Sequence, residues 1–280
     1  MCYEPDAMPP VHGSPRTTVT SGRVVLTSAD GARFAAFLSR PGRPSGPAVL
    51  VLPDNRGLSG FYERLTERLA EQGHTALAID YFGRTAGTGT RPDDFPFMEH
   101  LGRAHKDGLF ADIAAGAAHL RAEGREEVVS LGFCFGGRLA FMAARPGFGL
   151  AGTIGLYGYP DVLFGNPGPT QMAGELRGPI LGLFGGADEG ISPEVVGAFG
   201  EALGSAGVAH EFVTYPGAPH SFFELGRPEL AEACADAWAR ILGFLDGERP
   251  ASVRQASGER PGERTARGDL TSPRAATMQD

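Results

Sequence analysis

Residues 128–137 read VVSLGFCFGG, and this stretch decides the fold of the chain. The apolar run over 128–131 is typical of a buried strand, and a helical pattern over 138–144 follows the glycines. Between them stands Cys134, with a glycine two residues away on either side. A strand, a G-x-nucleophile-x-G turn and a helix together form a nucleophile elbow, in which the central side chain stands at the tip of the turn.

Cys134 is the candidate nucleophile of this elbow. Glycine is required at its flanks because a Cβ atom there would clash with the neighbouring backbone. A thiolate is a better nucleophile than a neutral hydroxyl, and the N-terminus of the following helix favours its negative charge. The alternative interpretation is a buried structural cysteine in a glycine-rich turn. Partners for the thiol elsewhere in the chain distinguish the two.

Strand and helix patterns alternate through residues 17–247, which we predict to form the folded domain. Apolar patterns predict strands at 23–26, 33–38, 48–52, 75–79, 127–131, 150–156, 179–184 and 211–215, and helices at 61–72, 107–123, 193–206 and 228–245. Such alternation predicts an α/β fold with a mostly parallel central sheet and helices on both faces. The connection 81–105 is long and rich in Gly, Pro and Phe, which is typical of a lid over a pocket.

The two ends of the chain lack these patterns. Residues 1–16 are rich in Pro and small polar residues, and we expect a flexible N-terminal arm. Residues 248–280 are polar and have no apolar period, which predicts a disordered tail.

Composition excludes several classes of function. The net charge of −8 gives no reason to expect binding to nucleic acid or to an anionic membrane. The three cysteines form no C-x-x-C pair, so neither a zinc site nor a redox dithiol is predicted. No signal sequence and no apolar run near the length of a membrane span is present, so we expect a cytoplasmic protein. No metal and no cofactor is predicted, and nothing in the sequence predicts an oligomeric state.

A histidine and an acid are expected where later strands end, because ligands of parallel sheets bind at the carboxyl ends of the strands. His220 follows the strand at 211–215 through Pro-Gly-Ala-Pro and precedes the last helix. The remaining histidines lie in the arm, at strand entrances, or in and before the helix that leads to the elbow strand: His12, His74, His100, His105, His119 and His210. His220 is therefore the candidate base.

Two acids follow strands beyond the elbow. Asp188 follows the strand at 179–184 through Gly-Gly-Ala, a spacer that lets a short carboxylate reach a neighbouring loop. Asp161 follows the strand at 150–156 by a few residues, directly after a proline. We favour Asp188 as the acid that orients His220, and Asp161 stays open as the alternative, with a turn or helix cap as its other interpretation.

Three stretches together resemble the dienelactone hydrolase family: LGFCFGG at 131–137, FGGAD at 184–188 and GAPHSF at 217–222. The resemblance covers about residues 20–246. It implies an α/β-hydrolase fold and a Cys134-His220-Asp188 triad. It also implies cofactor-free hydrolysis of an ester or lactone through an acyl-enzyme intermediate.

The loop after the third predicted strand, 53–57, also matches the family. Asp54 stands where the type member has a glutamate that contacts the resting thiol, so Asp54 is the candidate for that contact, and a turn residue at a helix start is the alternative. An oxyanion hole needs two backbone N–H groups, one from the residue after the nucleophile and one from this loop. These are the N–H groups of Phe135 and Asn55.

Substrate-binding residues are less clearly marked. The stretch DYFGR at 80–84 resembles the family segment that carries an arginine for the substrate carboxylate, which makes Arg84 its candidate. The family's second arginine lies four residues beyond the histidine, where this chain has Glu224, and a glutamate repels a carboxylate. Tyr157 and Phe222 are further candidates for substrate contact.

The sequence leaves two functions open. The first is a cofactor-free cysteine hydrolase whose partner is a small ester or lactone. The second is a binding protein for small molecules on the same fold, with a silent triad. Selective modification of Cys134 by an electrophile distinguishes them, because only an activated thiol reacts selectively.

Overall fold

The computed structural model describes Tyr3, residues 7–10 and 14–250, and the backbone of 254–255. Within these residues one sheet is built from nine strands. They are β1 (Val19–Thr27), β2 (Arg33–Pro41), β3 (Ala48–Leu52), β4 (Ala76–Ile79), β5 (Val128–Phe133), β6 (Gly152–Leu156), β7 (Ile180–Gly185), β8 (His210–Tyr215) and β9 (Arg254–Gln255). Their order across the sheet is β1-β2-β4-β3-β5-β6-β7-β8-β9.

The sheet is antiparallel at one edge and parallel elsewhere. β2 pairs antiparallel with both β1 and β4, and every pair from β4 to β9 is parallel. Each residue of β3, β4, β5, β6 and β7 is buried, as continuous apolar runs require when a sheet is covered on both faces. The predicted α/β class with a mostly parallel sheet is confirmed.

Seven α-helices surround this sheet in the described part of the chain. They are α1 (Gly60–Glu71), α2 (Gly83–Ala86), α3 (Phe97–Gly102), α4 (Lys106–Ala122), α5 (Phe135–Ala143), α6 (Pro193–Ser205) and α7 (Ala231–Leu245). Gly155 of β6 faces Phe141 of α5, and Gly152 of the same strand faces Phe244 of α7. Residues three apart on a strand point to opposite faces, so α5 and α7 cover opposite faces of the sheet.

The 81–105 connection differs from the single long loop that the sequence predicts. It contains the short helices α2 and α3, and its middle is anchored by Arg91. The Arg91 guanidinium donates to the Asp80 carboxylate over 2.7 Å, and both side chains are buried. It also donates to the carbonyls of Ala86 and Gly87. A buried ion pair with these added hydrogen bonds fixes the connection against the end of β4.

The described residues of the predicted N-terminal arm lie against the domain. Tyr3 is 5% exposed, the carbonyl of Ala7 accepts a 2.5 Å hydrogen bond from Arg64, and that of Met8 accepts one of 2.7 Å from Leu225. Tyr3 is the one large aromatic residue of this segment, and its burial supplies the apolar contact that a Pro-rich stretch otherwise lacks. Of the predicted disordered tail, 248–280, the first three residues are described, and Arg249 donates to the carbonyl of Phe244 and to the Glu127 carboxylate. The rest of the predicted tail lies outside the described residues, apart from the backbone of 254–255.

Backbone contacts around the elbow explain its glycines. A Cβ atom on Gly132 would lie 2.1 Å from the carbonyl oxygen of Gly136. One on Gly136 would lie 2.1 Å from the carbonyl oxygen of Leu52 and 2.2 Å from that of Pro53. Helix α5 therefore begins directly against the end of β3, and only hydrogen side chains permit this approach.

Substitution of Gly136 by alanine is expected to destabilise the fold, because the added methyl group meets backbone that cannot move aside. We expect Gly136→Ala to lower the free energy of unfolding by about 3 kcal/mol. Gly197, inside α6, has no atom within 4 Å of an added Cβ. Gly197→Ala is the matched control and is expected to stabilise the helix by up to about 1 kcal/mol. Urea unfolding measures both, and equal effects of the two substitutions would contradict the steric argument.

Candidate active site

The elbow holds Cys134 in a conformation that L-residues rarely adopt. Its φ is 54° and its ψ is −114°. The N–H of Cys134 donates to the Leu156 carbonyl over 3.0 Å, and its own carbonyl accepts from the N–H of Arg138 over 3.0 Å. Backbone strain of this kind costs about 1–3 kcal/mol and persists only where the surrounding structure imposes it. The half-buried side chain of Cys134 thus stands at the tip of the turn between β5 and α5.

His220 lies between Cys134 and Asp188. Its Nδ1 atom is 2.6 Å from Oδ2 of Asp188, and its ring also forms a hydrogen bond with the side chain of Cys134. Because Nδ1 faces the carboxylate, Nε2 is the ring nitrogen for the thiol. Asp188 is almost fully buried, while 27% of the His220 side chain is exposed. A thiol, an imidazole and a carboxylate are thereby connected in one row, which is the arrangement that nucleophilic catalysis requires.

Close packing of two loops produces the contact between Asp188 and His220. The N–H of Ala187 donates to the carbonyl of Ala218 over 2.9 Å, which ties the loop after β7 to the loop after β8. A Cβ atom on Gly185 would lie 2.4 Å from that same carbonyl oxygen. The glycines before Asp188 therefore allow the approach that the sequence pattern predicts.

The charge state of His220 follows from these contacts. Burial by itself lowers the pKa of the imidazole, but the Asp188 carboxylate and the Cys134 thiol outweigh it and raise the pKa to about 9. At neutral pH the protonated ring is therefore favoured beside the two acidic groups. This is the charge arrangement that supports a thiolate.

Asp54 lies in the loop after β3 and is 2% exposed. Burial raises the pKa of its carboxyl to about 6, and the negative charge of Cys134 adds to the effect. Hydrogen bonds from the N–H of Arg56, from the Tyr62 hydroxyl and from the N–H of Tyr3 act in the opposite direction. Asp54 is therefore close enough to Cys134 for the two charges to interact, and its contact with the resting thiol stays a prediction.

The two predicted oxyanion donors lie on segments in backbone contact. The N–H of Phe135 is among the first four of α5, which have no acceptor within the helix. Asn55 lies in the loop that continues β3, against whose end Gly136 packs. These placements are compatible with a shared oxyanion hole.

The alternative acid, Asp161, has other partners. Its Oδ1 atom accepts hydrogen bonds from the N–H of Val162 over 2.7 Å and from Nε2 of Gln171 over 2.6 Å. The carboxylate thus closes a surface turn, as the alternative interpretation of this residue holds. Asp188 is the acid that meets the His220 ring.

The position of Arg84 counts against its predicted role in substrate binding. Its guanidinium donates to Asp30 over 2.6 Å, to Asp112 over 2.8 Å and to the carbonyl of Gly108. Asp112 is fully buried on α4, and all three nitrogens of Arg84 have protein acceptors. Asp30 and Asp112 lie outside the stretch 80–84 that resembles the family, so the resemblance does not predict these contacts. They give Arg84 a structural role between the β1–β2 turn and α4.

Tyr157 and Phe222 lie behind the His220 ring. Tyr157 is 1% exposed, and its ring centroid is 5.0 Å from that of His220. Phe222 is fully buried, and its ring meets that of Tyr157 edge-on at 5.5 Å. They support the histidine, and their burial does not favour the predicted direct contact with a substrate.

Sequence reasoning missed three tyrosines around Asp54 and its loop. The Tyr62 hydroxyl accepts from the N–H of Asp54 over 3.0 Å, and the Tyr81 hydroxyl donates to the carbonyl of Pro53 over 2.8 Å. Tyr3 supplies an N–H to the Asp54 carboxylate. The one signal in the sequence was a large aromatic residue, Tyr3, in an arm otherwise poor in them.

A cavity of about 90 Å³ lies beside the Asp54 loop. Its walls come from Tyr3, from the start of α1, and from the 81–105 connection, including Arg91, Phe95 and Phe97.

Across residues 3, 7–10 and 14–250, no group of three His, Cys, Asp or Glu side chains is arranged to hold a metal ion. No helix in that part of the chain has the length and apolar character of a membrane span.

The raised pKa of His220 predicts how stability depends on pH. Because the folded-state value of about 9 exceeds the ordinary 6.5, the stabilisation is fully present below pH 6.5 and is lost as the pH approaches 9. The free energy of unfolding should fall by up to about 3 kcal/mol over this window. In urea unfolding, the fall in the free energy of unfolding over this pH window should be smaller in His220→Gln than in the wild type. The exposed control His105→Gln should show the same fall as the wild type. An unchanged slope in His220→Gln would contradict the assigned charge pair.

Known proteins resemble this chain in sequence and in architecture. A protein of Saccharolobus solfataricus assigned as a carboxymethylenebutenolidase is 29% identical over 79% of this chain and 96% of its own length. One of Synechocystis with the same assignment is 30% identical over 77% of this chain and 92% of its own length.

A solved structure agrees with these relatives. The crystal structure of a Klebsiella pneumoniae protein assigned as a dienelactone hydrolase superposes with a TM-score of 0.72 at 26% identity, over 82% of this chain and 99% of that one. The sequence model of the dienelactone hydrolase family matches residues 34–248, which include the elbow, Asp188 and His220. The chain therefore belongs to the dienelactone hydrolase family and is a hydrolase with the α/β-hydrolase fold.

Proposed function

We propose that this hydrolase cleaves a carboxylic ester or lactone without a cofactor, through a Cys134-His220-Asp188 triad and an acyl-enzyme intermediate. The row of contacts from the Cys134 thiol through the His220 ring to the Asp188 carboxylate carries the proposal. These residues follow β5, β8 and β7, which place them at the carboxyl edge of the sheet. The names of the relatives as carboxymethylenebutenolidases support a lactone as one member of the substrate class.

The proposed reaction begins from the ion pair that the raised pKa of His220 favours: the thiol proton resides on Nε2 of His220, and the thiolate of Cys134 attacks the carbonyl carbon. The electron pair of the carbonyl moves onto its oxygen, and the tetrahedral intermediate then expels the alkoxide as the C–O bond breaks. The alkoxide receives the proton held on His220. With a lactone as substrate, the released hydroxyl stays attached to the acyl group.

Deacylation repeats these steps with water. His220 takes a proton from a water molecule, the hydroxide adds to the thioester carbonyl, and the Cys134 thiolate leaves. Asp188 accepts the Nδ1–H hydrogen bond of the ring throughout and stabilises the imidazolium, as the 2.6 Å contact allows. The electrons balance without an oxidant, a reductant or a metal in either half-reaction.

The carbonyl oxygen becomes an oxyanion in both half-reactions. We assign its two donors to the backbone N–H groups of Phe135 and Asn55. Helix α5 starts at Phe135, so its N-terminal dipole also faces the negative charge. One donor of this kind contributes about 10²-fold or more to the rate.

Asp54 is proposed to hold the resting thiol. When the Asp54 carboxyl is ionised, its negative charge repels a thiolate on Cys134, just as the thiolate raises the pKa of Asp54. When it is neutral, that repulsion is absent, and the thiolate pairs with the His220 imidazolium alone. With a pKa of about 6, the carboxyl of Asp54 changes state just below neutral pH.

The hydrolase proposal is tested by removing the thiol. Cys134→Ala should lower kcat on p-nitrophenyl esters by about 10⁴-fold or more, because the nucleophile itself is lost. Cys234 is the matched control, since its buried thiol donates hydrogen bonds to the carbonyls of Phe222 and Glu224. Cys234→Ala should keep activity within a few-fold of the wild type.

Iodoacetamide labelling completes this test. Mass spectrometry should find Cys134 alkylated first in the wild type, with loss of hydrolysis in proportion. Full activity in Cys134→Ala would overturn the assignment of the nucleophile. Absence of hydrolysis of any ester or lactone in a panel, despite an alkylated Cys134, would favour the small-molecule binding protein instead.

Arg84→Ala separates a substrate-binding role from a structural one. Removing the guanidinium leaves Asp112 buried without its cation, so we expect a loss of about 3 kcal/mol in the free energy of unfolding. Arg227→Ala is the control, because the partly exposed Arg227 pairs with Glu224 and with the exposed Glu229, and its loss should change stability little. In Arg84→Ala, kcat/KM should fall by the same factor for a neutral ester and for its matched anionic ester. A selective loss on the anionic ester would restore Arg84 as a carboxylate site.

A further inference from the structure

Tyr3 lies in the aromatic layer behind the elbow, although it precedes the family-matched region 34–248. Its ring stacks on Phe61 of α1 with centroids 3.7 Å apart and an interplanar angle of 13°. The rings of Tyr62 and Phe133 meet it edge-on at 6.1 Å and 6.5 Å. Phe133 directly precedes the candidate nucleophile, so the N-terminal segment reaches the base of the elbow.

Two hydrogen bonds join Tyr3 to residues beside the thiol and the histidine. Its backbone N–H donates to the carboxylate of Asp54, in the loop after β3. Its hydroxyl forms a hydrogen bond with the hydroxyl of Tyr157, directly after β6. One residue therefore bridges two loops of the carboxyl edge, both of which carry groups close to the triad.

The bond to Tyr157 bears on the position of His220. Tyr157 has a φ of 38°, which a bulky residue adopts only when its surroundings hold it there. Its ring packs against His220 at 5.0 Å with an angle of 59° between the planes. A displaced Tyr157 would remove one wall of the space that the His220 ring occupies.

The segment is also tied to the loop that carries His220. The carbonyl of Met8 accepts a 2.7 Å hydrogen bond from the N–H of Leu225, five residues beyond the histidine. The carbonyl of Ala7 accepts a hydrogen bond from Arg64 of α1. Tyr3 thus contacts two loops of the site, and Met8 of the same segment contacts the loop that carries His220.

We propose that Tyr3 is a positioning residue of the active site, which holds Tyr157 and Asp54 so that His220 stays in hydrogen-bond contact with Cys134. The proposal rests on the triad proposed above. Tyr3 touches no reacting atom in this role. Through Tyr3, the N-terminal segment contributes to the active site although it lies outside the family-matched region 34–248.

Tyr3→Phe in the full chain tests the role, because it keeps the ring and the backbone N–H and removes only the hydroxyl bond to Tyr157. We expect kcat on a p-nitrophenyl ester to fall about 3- to 10-fold with KM nearly unchanged, the size expected for one lost network hydrogen bond. The rate of Cys134 alkylation by iodoacetamide at neutral pH should fall as well, because a displaced imidazole stabilises the thiolate less and a smaller fraction of Cys134 is ionised. Tyr3→Ala, which also loses the stacked ring, should lose more kcat than Tyr3→Phe.

Tyr215→Phe is the matched control. It also removes one hydroxyl bond, from Tyr215 to Asp236 over 2.8 Å, and it keeps the ring that packs on Phe222. Both Phe variants should show a similar small decrease in Tm, while kcat and the alkylation rate should fall only in Tyr3→Phe. Equal kcat and alkylation rates in Tyr3→Phe and Tyr215→Phe would overturn the positioning role.

The two readouts separate this proposal from the proposed function. A wild type that hydrolyses esters, with Tyr3→Phe unchanged in kcat and in alkylation, contradicts the role of Tyr3 alone. A wild type that hydrolyses none, with alkylation slower in Tyr3→Phe, contradicts the hydrolytic proposal and supports the positioning of His220 by Tyr3.

Discussion

The approach of α5 to the end of β3 is the constraint on which the site depends. Hydrogen side chains at two glycines permit this approach: Gly132 packs against the carbonyl of Gly136, and Gly136 packs against the carbonyls of Leu52 and Pro53. This contact turns the chain sharply enough to force Cys134 into a positive φ at the tip. It also brings the start of the loop after β3, which carries Asp54 and Asn55, against the start of α5. The Cys134 thiol, the proposed oxyanion donors and the buried Asp54 carboxyl therefore depend on one local backbone arrangement.

The charge balance at the site follows from the burial of Asp54 and from the charged groups that lie near it. Burial disfavours ionised Asp54, and a second negative charge on Cys134 disfavours it further. The positive charge that offsets them is the His220 imidazolium, held by Asp188. The two carboxyl groups therefore differ in their surroundings: Asp188 is hydrogen-bonded to the imidazole, while Asp54 is buried, has no cation among its hydrogen-bond donors within the described residues, and feels the charge of Cys134.

Much of the architecture could be predicted because it depends on neighbours in sequence. The apolar run of β3 was predicted with its observed bounds, and helices α1, α4 and α6 lie within a residue or two of their predicted ends. The start of α7 was wrong by three residues, since 228–230 form a 3₁₀ turn that has the same apolar spacing. The chain order of Cys134, Asp188 and His220 placed all three at the carboxyl edge, because strand direction fixes which end of the sheet each loop occupies.

By itself the sequence determined the fold class, the elbow and the residues that parallel strands deliver to one edge, since these follow from periodicity, glycine and strand direction. The tertiary structure alone decided which charges meet. Arg84 matched a family segment but is bound by Asp30 and Asp112, which come from distant parts of the chain. Tyr3 stood in a stretch without pattern but is buried between Phe61 and Tyr157. Side-chain partners far apart in sequence are set by packing, and no local pattern encodes them.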